Sequence, residues 1–230
     1  MCGRYTLRAR LNQLLQIYGA QSSIEYSERF NVAPSQMVPV LKLDDDSGAR
    51  EIVLMKWGLV PSWAKDEAIG NKMINARCET VDEKPAYRAA FKRRRCLVLA
   101  DGFYEWQKQG SKKQPYLFQK KDSSPYGYAG LWETWKKGDQ PLQSCTIITT
   151  TPNALVEDVH DRMPVILPER HIENWLNHEY DHVERLKSML KPYPASEMKR
   201  YPVDPMVGSP KNDKPECVEP IKTQDSLFDS

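Results

Sequence analysis

Cys2 directly follows the initiator methionine and is small enough for aminopeptidase to expose it as a new N-terminus. That would place an amine and a thiol on one residue. The α-amine titrates at about 7.7–8.0 and the thiol at about 8.5, so near neutrality both are partly deprotonated and both are nucleophilic. Such a 1,2-aminothiol is selective for aldehydes: the amine forms an imine with the carbonyl carbon, and the thiolate then adds to that carbon and closes a five-membered thiazolidine ring.

Four further constellations could act with it. In Ile74-Asn75-Ala76-Arg77-Cys78-Glu79 an extended backbone puts Asn75, Arg77 and Glu79 on one face, so an amide, a guanidinium and a carboxylate line one surface. The same residues also fit an ordinary half-buried strand with its polar side in water. Asp101-Gly102-Phe103-Tyr104-Glu105-Trp106 sets a lone carboxylate, Glu105, inside an aromatic strand. Desolvation by aromatic neighbours would raise its pKa toward neutrality, where it could serve as acid and base; an exposed strand glutamate is the plainer reading. In Val159-His160-Asp161-Arg162-Met163-Pro164 the imidazole can relay protons and the guanidinium can take an anion in a forked geometry. Those residues equally suit a surface turn. Trp57-Gly58 leading into Pro61-Ser62-Trp63-Ala64 offers aromatic side chains for stacking on bases, or tryptophans folded back on the core.

Two patterns mislead. His178-Glu179-Tyr180-Asp181-His182 matches the H-E-x-x-H zinc pattern, but Asp181 and Glu184 form a capping box that would start a helix inside the motif, so no metal and no cofactor are expected. The run Lys92-Arg93-Arg94-Arg95 reads as a solvated basic face.

The elements that must position these groups are a mixture of strand and helix. Leu7, Leu11, Leu14, Leu15 and Tyr18 share one helical face just after Cys2. Alternation predicts hairpins from strands 37–43 with 51–57 and 103–108 with 115–121, and further strands over 96–100, 126–132, 145–150 and 165–167. Helices are expected over 83–92, 169–176 and 182–190. With no βαβ alternation, the pattern points to an α+β single domain of curved, barrel-like antiparallel sheets flanked by helices. From about 205 onward proline, glycine and charge dominate, giving a domain of 1–220 and a disordered tail of 221–230.

Composition excludes several classes. The 230 residues carry 33 basic and 31 acidic side chains, a net charge of +2, so nucleic acid would have to be held by a local patch rather than a global field. Cys2, Cys78, Cys96, Cys145 and Cys217 are odd in number and lack zinc or disulfide spacing, which suits reduced thiols in a cytosol. With no signal core and no apolar span, a cytoplasmic protein that does not enter a membrane is expected, associated with the nucleoid when it holds DNA. No heptad demands a partner subunit, and a monomer is expected.

Met1-Cys2-Gly3-Arg4-Tyr5, Phe30-Asn31-Val32-Ala33-Pro34, Trp57-Gly58-Leu59-Val60-Pro61, Ile74-Asn75-Ala76-Arg77, Asp101-Gly102-Phe103-Tyr104-Glu105-Trp106 and His160-Asp161-Arg162-Met163-Pro164 occur in the order that marks the SRAP family. The chain resembles that family from residue 1 to about 220. The resemblance implies a protein that shields abasic sites in single-stranded DNA by crosslinking to them, with autoproteolytic removal of Met1 and weak abasic-site lyase activity alongside. Carried over, Cys2 resembles the crosslinking residue, and Asn75 the amide that positions the N-terminus and the sugar. Glu105 resembles the acid and base for opening the sugar and forming the imine, and His160 the histidine that assists proton transfer and reversal. Arg4, Arg77 and Arg162 resemble phosphate clamps, Trp106 lies in the implied DNA groove, and Asn31 and Pro34, in the matching Asn-Val-Ala-Pro segment, are implied DNA-binding residues. Trp63 resembles a wedge that excludes paired DNA, followed here by Ala64 where some members carry a second aromatic.

Two other classes stay open on the residues themselves: an N-terminal-nucleophile amidohydrolase using Cys2, and a non-covalent single-strand-binding module. In the tail, Gln224, Leu227 and Phe228 resemble the short peptide by which bacterial replication proteins dock on the sliding clamp, which makes the clamp an expected partner.

Overall fold

The chain runs through β1 (Tyr5–Leu7), α1 (Leu11–Tyr18), β2 (Arg29–Val32), β3 (Met37–Leu43), β4 (Arg50–Trp57), β5 (Asn75–Arg77), α2 (Arg88–Arg93) and β6 (Arg95–Ala100). It continues through β7 (Gly102–Gln109), β8 (Lys112–Lys120), β9 (Tyr126–Trp135), β10 (Leu142–Thr150), β11 (Met163–Pro164), α3 (Glu169–Leu176), α4 (Val183–Ser188) and β12 (Met198–Pro202). This computed structural model describes residues 2–221, so the clamp-like residues Gln224, Leu227 and Phe228 lie outside the described residues.

The two expected hairpins form. Strands β3 and β4 pair from Met37↔Lys56 to Leu43↔Arg50, and β7 pairs with β8 from Phe103↔Phe118 to Gln109↔Lys112. The turn of the second hairpin contains Gly110 at φ 59°, a conformation that glycine adopts without a steric cost. One sheet has the order β12-β8-β7-β1-β2; the other runs β11-β10-β4-β3-β6-β9, and β9 returns to pair with β10. That last pairing closes β10, β4, β3, β6 and β9 into a barrel, which leaves β6 buried along its whole length. A strand covered on both faces reads as a continuous apolar run, as Cys96 to Ala100 does.

The α+β fold of barrel-like antiparallel sheets is as expected, and the barrel is mixed at β10. Its outer edge pairs in parallel first with β4 (Ser144↔Lys56, Cys145↔Trp57) and then with β5 (Ile147↔Asn75 to Thr149↔Arg77). Parallel neighbours need a crossover, and that connection is too irregular to show as a periodic pattern. The excursion between β4 and β5 crosses itself where Gly58 meets Gly70; a Cβ on either would lie 2.6 Å from the other's carbonyl oxygen. The smaller sheet packs onto the barrel through Tyr5, whose ring sits 5.1 Å from Trp57 and 5.9 Å edge-on from Tyr128.

Several local expectations shift for identifiable reasons. Leu7 belongs to β1 rather than to the first helix, because Asp101 accepts from the Thr6 hydroxyl and the Arg8 backbone and holds 5–8 extended against β7. The expected helix 83–92 is helical only over Arg88–Arg93, the residues before it being turns, and in 165–167 only Ile166 makes a bridge, to Tyr128. Arg95 is not part of a solvated basic face. It is buried, and all five of its N–H groups go to carbonyls, those of Trp175, Phe91, Lys92, Asn177 and Tyr180. That cage fixes the chain between α3 and α4, so His178 and His182 bracket a helix break instead of sharing a helical face.

The stretch after 205 folds back rather than trailing away, and Ile221, assigned by composition to the tail, still donates to the Pro202 carbonyl. Val207 and Cys217 are buried against Tyr104, whose hydroxyl donates to the Phe30 carbonyl at 2.7 Å and lies 3.2 Å from that of Cys217. Asp213 anchors this strap by accepting from the Phe30 and Asn31 amides at 2.6 and 2.9 Å and from the Arg29 guanidinium. Asp213→Ala strands those donors and is expected to cost about 2–4 kcal/mol, read as a lower urea midpoint at unchanged m-value.

Candidate active site

Cys2 is fully buried where the first residues of the chain cross from the smaller sheet to the barrel. Two strands hold it. The Asn75 side chain, carried to the barrel edge by the parallel pairing of β5 with β10, donates from Nδ2 to the Cys2 carbonyl at 2.8 Å. On the other side Tyr104 N–H donates to the Arg4 carbonyl at 3.0 Å, which lays residues 2–4 alongside the stretch of β7 that bears Glu105. Asn75 Oδ1 is buried with no partner among the described residues, an acceptor available to a hydroxyl or amine brought into the pocket.

Glu105 is buried, and burial pushes its carboxyl from the usual 4.5 to about 7. Its charge in turn joins burial in pushing the Cys2 thiol up, so near neutrality Cys2 is a thiol and not the partly deprotonated group expected of a solvated aminothiol. Tyr126 and Tyr128, side by side on β9, lie close enough to Cys2 that ionisation of the thiol would oppose theirs, and sequence reasoning did not single them out. Their hydroxyls lie 3.4 Å apart, and Tyr128 donates to the Gly102 carbonyl at 3.3 Å. No pattern marks them, since tyrosine in a buried strand is unexceptional.

His160 sits in the loop before β11. The backbone N–H of Arg162 donates to its Nδ1 at 3.0 Å; an amide can only donate, so the neutral ring carries its proton on Nε2. Burial lowers its pKa, which favours that neutral form, while Asp161 Oδ1, 3.0 Å from Nδ1, can pair only with the cation.

The arginines differ sharply in what surrounds them. Arg77 is exposed and forms no ion pair among the described residues. Arg4 lies over the half-buried Trp106 ring at 5.9 Å and donates to Asn31 Oδ1 at 2.9 Å and to the Val207 carbonyl at 2.7 Å. Arg162 is nearly buried and is gripped end-on by Glu79 at 2.6 and 3.0 Å, with Thr149 O accepting at 2.7 Å. Glu79 was legible only as a third polar residue on the face of Asn75 and Arg77; because β5 ends at Arg77, its side chain leaves that face and reaches Arg162.

The structure corrects one site residue. Asn31 is fully buried with its Nδ2 on the carbonyls of Val207, Ser209 and Asn212, so it stands behind Arg4 and holds the strap rather than facing a bound strand. Pro34 is half-buried in the loop before β3. Trp57 is core, its indole donating to the Ile74 carbonyl, whereas Trp63 is 54% exposed on the loop after β4. Ala64 beside it is buried, its carbonyl accepting from the Trp135 indole at 2.9 Å. No three His, Cys, Asp or Glu side chains among the described residues could hold a metal ion, and no described helix is long and apolar enough to cross a membrane.

A closed mixed barrel on which a cysteine, an amide and a desolvated carboxyl converge near the start of the chain defines an α+β protein with a buried cysteine site. The chain belongs to the family described as SOS response associated peptidase (SRAP), which it matches over residues 1–210. It is 44% identical over 224 residues to the abasic site processing protein YoqW of Bacillus subtilis (strain 168), covering 95% of this chain and 99% of that one. It is 36% identical to the abasic site processing protein HMCES of Gallus gallus, covering 86% of this chain and 67% of that one. A solved structure from Bacteroides thetaiotaomicron superposes with a TM-score of 0.87 at 28% identity over 96% of this chain and all of that one.

The raised carboxyl of Glu105 sets a stability prediction. A folded-state pKa of about 7 against 4.5 unfolded contributes stability that is present below pH 4.5 and is lost as pH rises through 7. Glu105→Gln escapes that loss. It is expected to gain on the wild type across this window, by up to about 3 kcal/mol above pH 7, with the two nearest in stability near pH 4. Urea titrations at pH 4, 6 and 8 measure the difference.

Proposed function

We propose that this protein captures abasic sites in single-stranded DNA covalently through Cys2, once Met1 has been removed. The observation that carries the reading is the convergence of Asn75 and Glu105 on Cys2: an amide bonded to its carbonyl and a carboxyl with a pKa of about 7 beside it. The kinship with proteins named for abasic site processing supports the same substrate.

An abasic deoxyribose in its open form is an aldehyde. The Cys2 amine adds to the carbonyl carbon, water leaves, and an iminium forms; the neutral thiol then adds its sulfur to that carbon while its proton passes to a base. A carboxyl half-protonated near neutrality suits both halves of that sequence, as acid for ring opening and dehydration and as base for the thiol proton. His160 is the second proton carrier. Arg77 is an open phosphate contact, Arg4 with Trp106 forms a second, and Trp63 is the aromatic at the strand's exit.

Intact-protein mass spectrometry after mixing with abasic single-stranded DNA tests the reading. A heat-stable adduct is expected for the wild type and none for Cys2→Ala, while single-strand affinity stays within about twofold. A hydrolysed amide product would point to an amidohydrolase, and unmodified protein to a non-covalent binder. Glu105→Gln should slow adduct formation roughly a hundredfold at saturating DNA, the signature of lost proton transfer.

The tail, Gln224 with Leu227 and Phe228, would deliver this chemistry to stalled forks by docking on the sliding clamp. Calorimetry of the peptide 219–230 against the host's clamp should give a Kd of roughly micromolar that is lost on replacing Leu227 and Phe228 by alanine. Absence of binding at high micromolar concentration removes the clamp from the proposal.

A further inference from the structure

Among the arginines near Cys2, Arg162 alone has its fork filled by a carboxylate. Glu79 takes one N–H from each terminal nitrogen, at 2.6 and 3.0 Å, and Thr149 O takes another at 2.7 Å. That end-on, two-oxygen grip is also how a phosphate seats on a guanidinium. The two partners are unequally held: the Glu79 side chain is 47% exposed and that of Arg162 only 8%. A carboxylate at the surface rehydrates when it leaves, whereas the guanidinium is anchored from behind by β10, so Glu79 is the partner that can move. Its backbone is secured independently. Cys78 N–H donates to the Thr149 carbonyl at 3.0 Å, Thr80 N–H to Arg77 O at 3.2 Å, and Lys187 reaches both the Glu79 carbonyl and Asp82.

We propose that Glu79 is a specificity-determining residue: it occupies the phosphate fork of Arg162 in the unbound protein and yields it to a phosphate of single-stranded DNA. This rests on the DNA reading above. While the pair is closed, Arg162 and Glu79 are jointly neutral and the site offers one cation fewer to a passing strand. An intact strand must displace an internal carboxylate to gain this contact, so its residence is short. A strand tethered through Cys2 remains long enough to take the fork. Glu79 thereby trades affinity for undamaged DNA against selectivity for the strand that reacts.

The proposal has an unusual sign, because removing a side chain that makes two good hydrogen bonds should tighten binding. Fluorescence anisotropy of the full chain with a labelled, undamaged oligodeoxynucleotide, over a range of salt concentrations, measures it for the wild type, Glu79→Gln, Arg162→Ala and the double variant. Glu79→Gln is expected to bind about three- to tenfold more tightly, with a log–log salt slope steeper by about 0.7, one further phosphate neutralised. That gain is expected to vanish in the Arg162→Ala background. Glu79→Asp keeps the charge but is one methylene short of the fork, and should fall between Glu79→Gln and the wild type. Weaker or unchanged binding by Glu79→Gln or Glu79→Asp overturns the proposal, and so does an equal gain without Arg162, which would be a general charge effect. A wild-type protein that binds no single strand at all overturns the DNA reading itself and the proposal with it.

Discussion

Strand β10 is shared by more partners than any other strand in this fold, and the remaining architecture follows from that sharing. One edge closes the barrel against β9, and the other is divided between β4 and β5. A barrel sealed this way has no free edge at β9, and it buries Trp57, Cys145 and Ile147 in its wall. The division of the outer edge is what delivers Asn75 to Cys2. It also brings the Thr149 carbonyl to Arg162, so Cys2 and the arginine loop are referenced to one strand.

Burial then sets the electrostatics. Cys2 and Glu105 are both desolvated, and the charge of Glu105 makes ionisation of the Cys2 thiol less favourable still. A carboxyl that would be spent as a permanent anion on a surface becomes one that exchanges its proton near neutrality. The cations are treated in the opposite way. Arg95 and Arg4 are held by carbonyl and amide oxygens, which engage their N–H groups without cancelling their charge, whereas Glu79 cancels that of Arg162.

Much of this was legible beforehand. The hairpins β3–β4 and β7–β8 and the helix Glu169–Leu176 lie where period and turn residues put them, and the ordered motifs marked the family. The raised carboxyl of Glu105, set among aromatics, was likewise expected from residue type. The helix break around His178 was expected, but not for the expected reason: His182 is the N-cap of α4 and makes no side-chain cap hydrogen bond, so no Asp181–Glu184 capping box forms, and the Arg95 cage holds the break instead.

The chain alone thus determined what depends on neighbours in sequence: alternation, turns and the ordered motifs. Tertiary structure decided what depends on residues far apart. It put β5 parallel to β10, turned the basic run at Arg95 inward, folded the strap over Asn31, and paired Glu79 with Arg162, 83 residues away. The reason is that a side chain's charge state and availability are set by desolvation and by the groups across from it, and neither is encoded in the identity of its neighbours along the chain.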